Sequence, residues 1–358
     1  MAFEISDILI YGAGNTGKQI CATLQELGFS PIGFLDARVT GKIGDLPVYS
    51  PNQCPKELKT TPVIIAVHNR SVSIREIESV LIQLGWKPEK IWSLVQFYRK
   101  AEQEGFRLPS LFWLGQKSEI TENGGRIQEA RSLFTDSQSL ELFDAQIALR
   151  KTGIYSEILD QPSEGQYALE LIDRNQPLAF VDVGAYDGDS IEDLARAGFQ
   201  FREIYGFEPE PSNLRAFCQR LKKMNLKCPI TVFPVGANDQ FETLCFTAGT
   251  GESACFSAEG SIVIQTAPLD EMLINQPVSF IKMDVEGAEF AALRGAQQII
   301  EQQQPILAIC VYHCPNHLWE IPLLIASLNR NYQFFLRTYG LNCFETVCYA
   351  VPPKYLKD

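Results

Sequence analysis

Short unbroken apolar runs alternate with segments whose apolar residues recur at helical spacing, and that alternation predicts the elements of this chain. In the first hundred residues the runs Ser6–Tyr11, Pro31–Leu35, Pro62–Val67 and Ile91–Val95 read as buried parallel strands. Later strands fall at Ala179–Val183, Glu203–Phe207, Pro229–Pro234, Glu242–Thr247, Ile262–Ala267, Val278–Met283 and Pro305–Tyr312. Tyr332–Arg337 and Thr346–Val351 follow as an antiparallel closing pair. Helices are expected at Lys18–Leu27, Val72–Leu84, Leu140–Thr152, Ile191–Ala197, Phe290–Ile300 and Trp319–Asn329. In Leu140–Thr152 the periodic residues are Leu142, Phe143, Ile147 and Leu149. Gly41–Val48 and Thr121–Gly125 read as loops, and Thr250–Ser253 as a loop near a site. Strand and helix alternating in this way give an α/β chain.

The junction at Ala179–Ser190 organises the second half. Its strand ends at Asp182-Val183, breaks at Gly184 and Gly188, and leads into a helix with Glu192 and Asp193 early in it. Glycines let a ligand lie against the backbone, and the helix start presents unpaired amides. The next strand ends at Glu208, 26 positions after Asp182, where a carboxylate can accept both hydrogen bonds of a ribose diol. The spacing is Gly-x3-Gly rather than G-x-G-x-x-G, which favours an S-adenosylmethionine site over a dinucleotide site. Asp182, Gly184, Tyr186, Gly188 and Glu208 are its candidate residues.

Five separate stretches carry a family resemblance: Phe180–Ala185, Gly206–Pro209, Leu269-Asp270, Ile281–Glu289 and Glu345–Ala350. In order and approximate spacing they resemble the FkbM-type methyltransferases, over roughly residues 171–352. The resemblance implies a class I methyltransferase fold, a mixed seven-stranded sheet with helices on both faces. It also implies transfer of methyl from S-adenosylmethionine, usually to a hydroxyl oxygen. In such a fold the loop after the third strand lies beside the adenine, so Asn238 or Asp239 could pair with its amine; a plain turn is the alternative.

Methyl transfer must align acceptor oxygen, methyl and sulfur, and must remove the acceptor's proton. Lys282, Asp284 and Glu286 stand together at a strand tip, where buried charges are costly unless paired or bound. Pairing of Lys282 with Asp284 or Glu286 is the structural alternative to a catalytic role. His313 follows the next strand at the same sheet edge and joins Asp284 and Glu286 as a candidate base. A divalent cation on Asp284 and Glu286, polarising the acceptor hydroxyl, is the other way to activate it. Zinc on Cys310, His313, Cys314 and His317 is disfavoured, since Cys310 would point into the core.

Strand Ser6–Tyr11 is followed at once by Gly12-Ala13-Gly14-Asn15-Thr16-Gly17, a G-x-G-x-x-G in the right context, with Asp36 at the next strand end. Residues 1–98 thus resemble the small Rossmann-like modules at the front of sugar-modifying enzymes, short of a full six-stranded dinucleotide fold. A nucleotide or nucleotide-sugar at Gly12, Gly14, Gly17 and Asp36 is one reading, and a turn kept for tight packing is the other. Residues 99–170 are expected as a helical connector and 171–358 as the methyltransferase domain. Related two-domain members end the connector in an aromatic-proline step, whereas Tyr167 is followed here by Ala168-Leu169, which puts its contact with cofactor or substrate in doubt.

With 31 basic against 43 acidic residues the formal charge is −12, which opposes binding of nucleic acid or anionic lipid. Arg220–Lys223, the densest basic patch, reads as a solvated helix face. No basic-then-apolar leader opens the chain and no apolar run nears the ~20 residues that span a bilayer, so a cytoplasmic protein is expected. Its 10 cysteines, without any C-x-x-C pair, read as free thiols. The expected activity is methylation of a sugar or glycan precursor, a small-molecule or glycan acceptor. The rivals are a non-catalytic nucleotide-sensing scaffold and an NAD-dependent sugar oxidoreductase, the latter lacking a recognisable tyrosine–lysine pair.

Overall fold

The computed structural model describes residues 7–224, 226–247, 255–256 and 262–357, in two compact units. The first comprises Met1–Gly124, Glu141–Pro162 and Gly340–Phe344; the second comprises Gly125–Leu140, Ser163–Tyr339 and Glu345–Asp358. Residues 99–170 therefore contribute to both.

Six strands form the sheet of the first unit: β1 (Asp7–Tyr11), β2 (Ser30–Leu35), β3 (Gly41–Ile43), β4 (Leu46–Tyr49), β5 (Val63–Ile65) and β6 (Ile91–Ser93). Their order is β3-β4-β2-β1-β5-β6. Three helices belong with them: α1 (Asn15–Glu26), α2 (Ile74–Gln83) and α3 (Leu94–Gln103). Every neighbouring pair is parallel except β3–β4. The stretch 41–48, expected as a loop, is that antiparallel hairpin, and it is what brings this small sheet to six strands. The strand expected to reach Val95 stops at Ser93, because a capping box starts α3 there. The Ser93 hydroxyl accepts the Gln96 amide at 3.2 Å, and the Gln96 side chain accepts the Ser93 amide at 2.9 Å.

Leu9, Leu35, Val63, Ile65, Ile74, Leu81 and Trp86 pack the core of this unit. Residues 340–344 complete it from far along the sequence. The Leu341 amide donates to the Arg70 carbonyl at 2.9 Å. The Asn342 side chain donates to the carbonyls of Asn69 and Val72, both at 2.8 Å, so this hairpin residue has a structural task. Between these partners His68 is 3% exposed among aromatic rings, 5.1 Å from both Trp113 and Phe344.

Three more helices follow: α4 (Lys117–Glu122), α5 (Gly124–Arg131) and α6 (Ser137–Thr152). Thr121–Gly125, expected as a loop, is helical except at Asn123, whose side-chain amide donates to the Glu119 carbonyl at 2.7 Å and ends α4.

The second unit holds β7 (Leu178–Val183), β8 (Phe201–Phe207), β9 (Ile230–Phe233), β10 (Gly236–Ala237), β11 (Glu242–Thr247), β12 (Cys255–Phe256) and β13 (Ile262–Ala267). It continues with β14 (Phe280–Met283), β15 (Ile306–Cys310), β16 (Gln333–Thr338) and β17 (Thr346–Val351). The main sheet runs β16-β17-β15-β14-β7-β8-β9. It is parallel from β15 to β9, and β17 lies antiparallel between β15 and β16. This is the mixed seven-stranded sheet of a class I methyltransferase fold. A smaller sheet, β10-β13-β11-β12, lies beside it in sequence; the loop expected at Thr250–Ser253 falls outside the described residues.

The helices of this unit are α7 (Asp189–Arg196), α8 (Pro211–Lys223), α9 (Leu269–Met272), α10 (Glu289–Arg294), α11 (Gln297–Gln303) and α12 (His317–Leu328). The single helix expected over Phe290–Ile300 is two, because the Asp270 carboxylate accepts the Gln298 and Ile299 amides, each at 2.9 Å, and caps α11 anew. Among the described residues no helix is long and apolar enough to cross a membrane.

Chain order reverses between β7 and β14: β8 and β9 extend one way, β15 the other. Their adjoining carboxyl ends make the crevice where open α/β sheets bind ligands.

Candidate active site

Register brings the first pair of site residues together. Asp182 of β7 lies directly opposite Lys282 of β14, so their side chains leave the sheet on one face. Both are buried, and the Lys282 ammonium sits 3.1 Å from Asp182 Oδ1. It also donates to the Gly184 carbonyl at 2.7 Å and lies 5.3 Å from the centre of the Tyr167 ring. Ser190 donates to the other oxygen of Asp182. Burial alone would lower the lysine's pKa, but Asp182 and then Asp284 outweigh it and hold the ammonium charged, above its usual range. The partner of Lys282 is thus Asp182, not the Asp284 or Glu286 weighed from sequence. The pair fixes the strand tips and the start of the glycine turn.

That turn is tight. Gly184 has φ +73°, and a Cβ there would stand 1.9 Å from the Asp284 carbonyl oxygen. Tyr186 follows with φ +48° and an exposed ring. Its amide donates to Glu208 Oε2 at 2.8 Å, while Glu208 Oε1 accepts the Glu210 amide at 2.8 Å. Glu208 is 5% exposed, and burial raises its pKa despite those two amides. Gly188 caps α7 with φ +85°. Arg220 of α8, read from sequence as part of a solvated patch, bonds Asp187 and Glu192 and pins the turn from outside.

Asn238 and Asp239 follow β10. The Asn238 side chain donates to Thr266 at 3.3 Å and accepts the Asp239 amide at 2.8 Å, and Asp239 faces Arg294 at 3.6 Å. Both side chains thus have partners within the fold.

Asp284, Glu286 and His313 do converge, beyond the ends of β14 and β15. His313 Nε2 lies 3.4 Å from Asp284 Oδ1 and 3.6 Å from Glu286 Oε2. The other ring nitrogen, Nδ1, is 2.6 Å from Glu289 Oε1, which also accepts the Val285 amide at 3.0 Å. His317 Nδ1 is 3.3 Å from Glu289 Oε2. Burial opposes charge on both imidazoles, but their partners prevail: His313 is raised to about 10 by Glu289, Asp284 and Glu286, and His317 to about 9 by Cys314 and Glu289. Glu289, wholly buried, is held far below the usual carboxylate range by the two histidines. Burial pushes Glu286 up to about 7 although His313 pulls it down. Glu286 is the open member, with its side chain 40% exposed and its backbone at φ +53°.

Gln166 was missed in sequence, and Tyr167 was singled out there with its contact left in doubt. Tyr167, at φ +66°, donates to Asp284 Oδ2 at 2.8 Å and covers Lys282. Gln166 beside it donates to the Tyr167 hydroxyl at 3.0 Å and to Glu345 at 2.7 Å. No local pattern announces Gln166. Glu289 was visible as an acid four positions after Val285, which is the spacing that lets it turn back to the Val285 amide.

In the first unit the glycine motif folds as a tight turn. Gly17 packs against the Gly12 carbonyl oxygen, 1.9 Å from where its Cβ would be. Asp36 accepts the amides of Ala13 and Arg38 at 2.8 Å and of Val39 at 3.0 Å, a clamp on that turn. Gly14 caps α1 with open space about it.

Residues 182–338 match the family model described as the methyltransferase FkbM domain. Among solved structures the chain is similar to the methyltransferase FkbM from Methylobacillus flagellatus KT. The identity is 20% and the TM-score 0.76, over 96% of this chain and 90% of that one. It is also similar to an rRNA methylase from Streptococcus thermophilus, with 15% identity, 53% and 93% coverage and TM-score 0.33. A third is Aeropyrum pernix fibrillarin in complex with S-adenosyl-L-methionine, with 12% identity, 49% and 67% coverage and TM-score 0.31. No curated protein matches the chain.

Proposed function

We propose that this chain, whose residues 182–338 belong to the FkbM methyltransferase domain family, moves the methyl group of S-adenosylmethionine to a hydroxyl oxygen of a sugar or glycan precursor. Methyl transfer follows from the family; the donor, the acceptor atom and the acceptor class are our reading. Glu208 is the observation that carries it. Its carboxylate stands at the tip of β8 with each oxygen taking one backbone amide of the turn, which leaves a second lone pair on each for a ribose diol. Gly184–Gly188 and the start of α7 then supply close backbone for the rest of the cofactor.

In the reaction the acceptor oxygen forms a bond to the methyl carbon as the carbon–sulfur bond breaks. The bonding pair stays on sulfur as a neutral thioether, and the acceptor's proton leaves. The Asp284–Glu286–His313 group lies next to the glycine turn through Asp284 and is the part of the site that would offset or take that proton. Tyr167 and the Lys282–Asp182 pair hold Asp284 and the turn in place. The chain's net charge of −12 supports a neutral acceptor over a polyanion.

Calorimetric titration of the full chain with S-adenosylmethionine tests this. A Kd near the micromolar range, about −8 kcal/mol, is expected, with binding at least about tenfold weaker in Glu208→Gln. Thermal melting of the variant reports whether the turn survives. Absence of binding to the wild type, or equal affinity in a folded Glu208→Gln, overturns the reading.

A further inference from the structure

We propose that Asp284 Oδ1, Glu286 Oε2 and His313 Nε2 form a divalent-cation site, with Glu289 as the group that orients His313. The role given to the cation rests on the methyl-transfer reading; its binding does not.

The argument starts from His313. The residue is 8% exposed, and among the described residues its Nε2 has no hydrogen-bond partner. Its Nδ1 is engaged at 2.6 Å by Glu289 Oε1. With one proton held on Nδ1 by Glu289, a cation would displace the Nε2 proton that the charged imidazole otherwise carries, on the side of Asp284 and Glu286. Carboxylate on histidine on metal is the arrangement that fixes a ligating imidazole's tautomer and tilt.

The distances discriminate between an ion pair and a shared cation. A charge-assisted N–H···O bond is about 2.7–2.9 Å long. Asp284 Oδ1 and Glu286 Oε2 stand back at 3.4 and 3.6 Å from Nε2. Ligands about 2.1 Å from a common cation are ~3.0–3.4 Å apart at octahedral or tetrahedral angles, so each of the two oxygens stands near coordination spacing from Nε2. Proximity alone selects Glu289 and not Glu286 as the third member, since Asp284, Glu289 and His313 each offer an atom within 4.8 Å of the others. But the oxygens of Glu289 face His313 Nδ1, His317 Nδ1 and the Val285 amide, which leaves it outside the first set of ligands.

The surroundings are built to hold this geometry. Tyr167 ties down Asp284 Oδ2 at 2.8 Å and leaves Oδ1 for the ion. Glu286 is kept at φ +53°, a backbone state few side-chain-bearing residues adopt. Its exposed flank leaves one side of the group open, where an acceptor oxygen would complete the coordination. Two carboxylates and one imidazole suit a first-row divalent ion such as Mn²⁺. Coordination there would lower the acceptor hydroxyl's pKa, its proton passing to solvent before the oxygen takes the methyl group.

The test uses the full chain stripped with EDTA and titrated with Mn²⁺, followed by electron paramagnetic resonance and calorimetry, with S-adenosylmethionine titrated in parallel. The expected result is one Mn²⁺ per chain, bound at least about tenfold more weakly by Glu286→Gln and His313→Ala. Glu289→Gln should weaken it by about 10–100-fold. Retained S-adenosylmethionine binding in each variant shows that the fold persists. A wild type that binds S-adenosylmethionine but neither Mn²⁺ nor Mg²⁺, Co²⁺ or Zn²⁺ overturns the cation site and leaves the methyltransferase reading standing. Mn²⁺ binding equal in wild type and Glu286→Gln also overturns it. Stoichiometric Mn²⁺ without S-adenosylmethionine binding upholds the site and removes the cofactor reading instead.

Discussion

Replacing His68 with leucine measures what one unpartnered imidazole costs the first unit. His68 is 3% exposed, and neither ring nitrogen has a hydrogen-bond partner among the described residues. Burial lowers its pKa from 6.5 to about 3. The sign follows from proton counting. Between pH 6.5 and 3 the unfolded chain carries a proton on this side chain and the folded chain does not. Stability contributed by the neutral ring is therefore complete above pH 6.5 and is lost as pH falls, by about 1.4 kcal/mol per unit. From pH 7.5 to 5.0 the loss is about 2 kcal/mol. Leucine, of similar volume, titrates nowhere and leaves no polar atom unpaired. The variant should be more stable by about 1–3 kcal/mol at pH 7.5, and its advantage should widen by about 2 kcal/mol at pH 5.0. Urea unfolding at both pH values, followed by tryptophan fluorescence, gives the comparison, since Trp113 lies 5.1 Å from the imidazole. His313 and His317 carry the opposite sign. With pKa values raised to about 10 and 9, they contribute fully below pH 6.5 and lose that contribution as pH rises through those values. They are present in both proteins and cancel in the difference. Equal pH dependence in wild type and His68→Leu would refute the reasoning.

Two further substitutions probe the second unit. Gly184→Ala puts a methyl group 1.9 Å from the Asp284 carbonyl on a backbone at φ +73°. It should cost about 3 kcal/mol or more and abolish S-adenosylmethionine binding, read by thermal melting and calorimetry. Lys282→Met leaves the Asp182 carboxylate buried without its cation, so a loss of about 3–5 kcal/mol is expected by urea unfolding; a loss under about 1 kcal/mol would mean the pair does not hold the strand tips.

Local signals made the positions of the second unit's strands readable. β7, β14 and β17 lie where continuous apolar runs placed them, and the carboxyl-end acids Glu208 and Asp284 fall at the crevice because strand length dictates where a run ends. What sequence did not yield was partnership. Lys282 meets Asp182 through strand register, a property of two segments a hundred residues apart. Tyr167 reaches Asp284 from a stretch with no periodicity of its own. Loops were misread where a few polar contacts override composition. Asn123 turns a glycine-rich stretch into two helices, and Asp270 splits one helix into two by capping its second half. The Gly41–Val48 hairpin was hidden because strands of three and four residues carry too few positions to show alternation.

The first unit closes on residues 340–344, supplied after nearly all of the second unit's sequence. A ribosome adding about 5–20 residues per second finishes β6 at residue 93 and then needs on the order of ten seconds or more to deliver Asn342. Until then the carbonyls of Asn69 and Val72 lack their donor, and the aromatic group around His68 lacks Phe344. The amino-terminal unit, though made first, is thus finished late. A fragment cut near residue 98 would lack the rest of the first unit, residues 99–124, 141–162 and 340–344, and during synthesis the places they fill stay open until the last of them arrives.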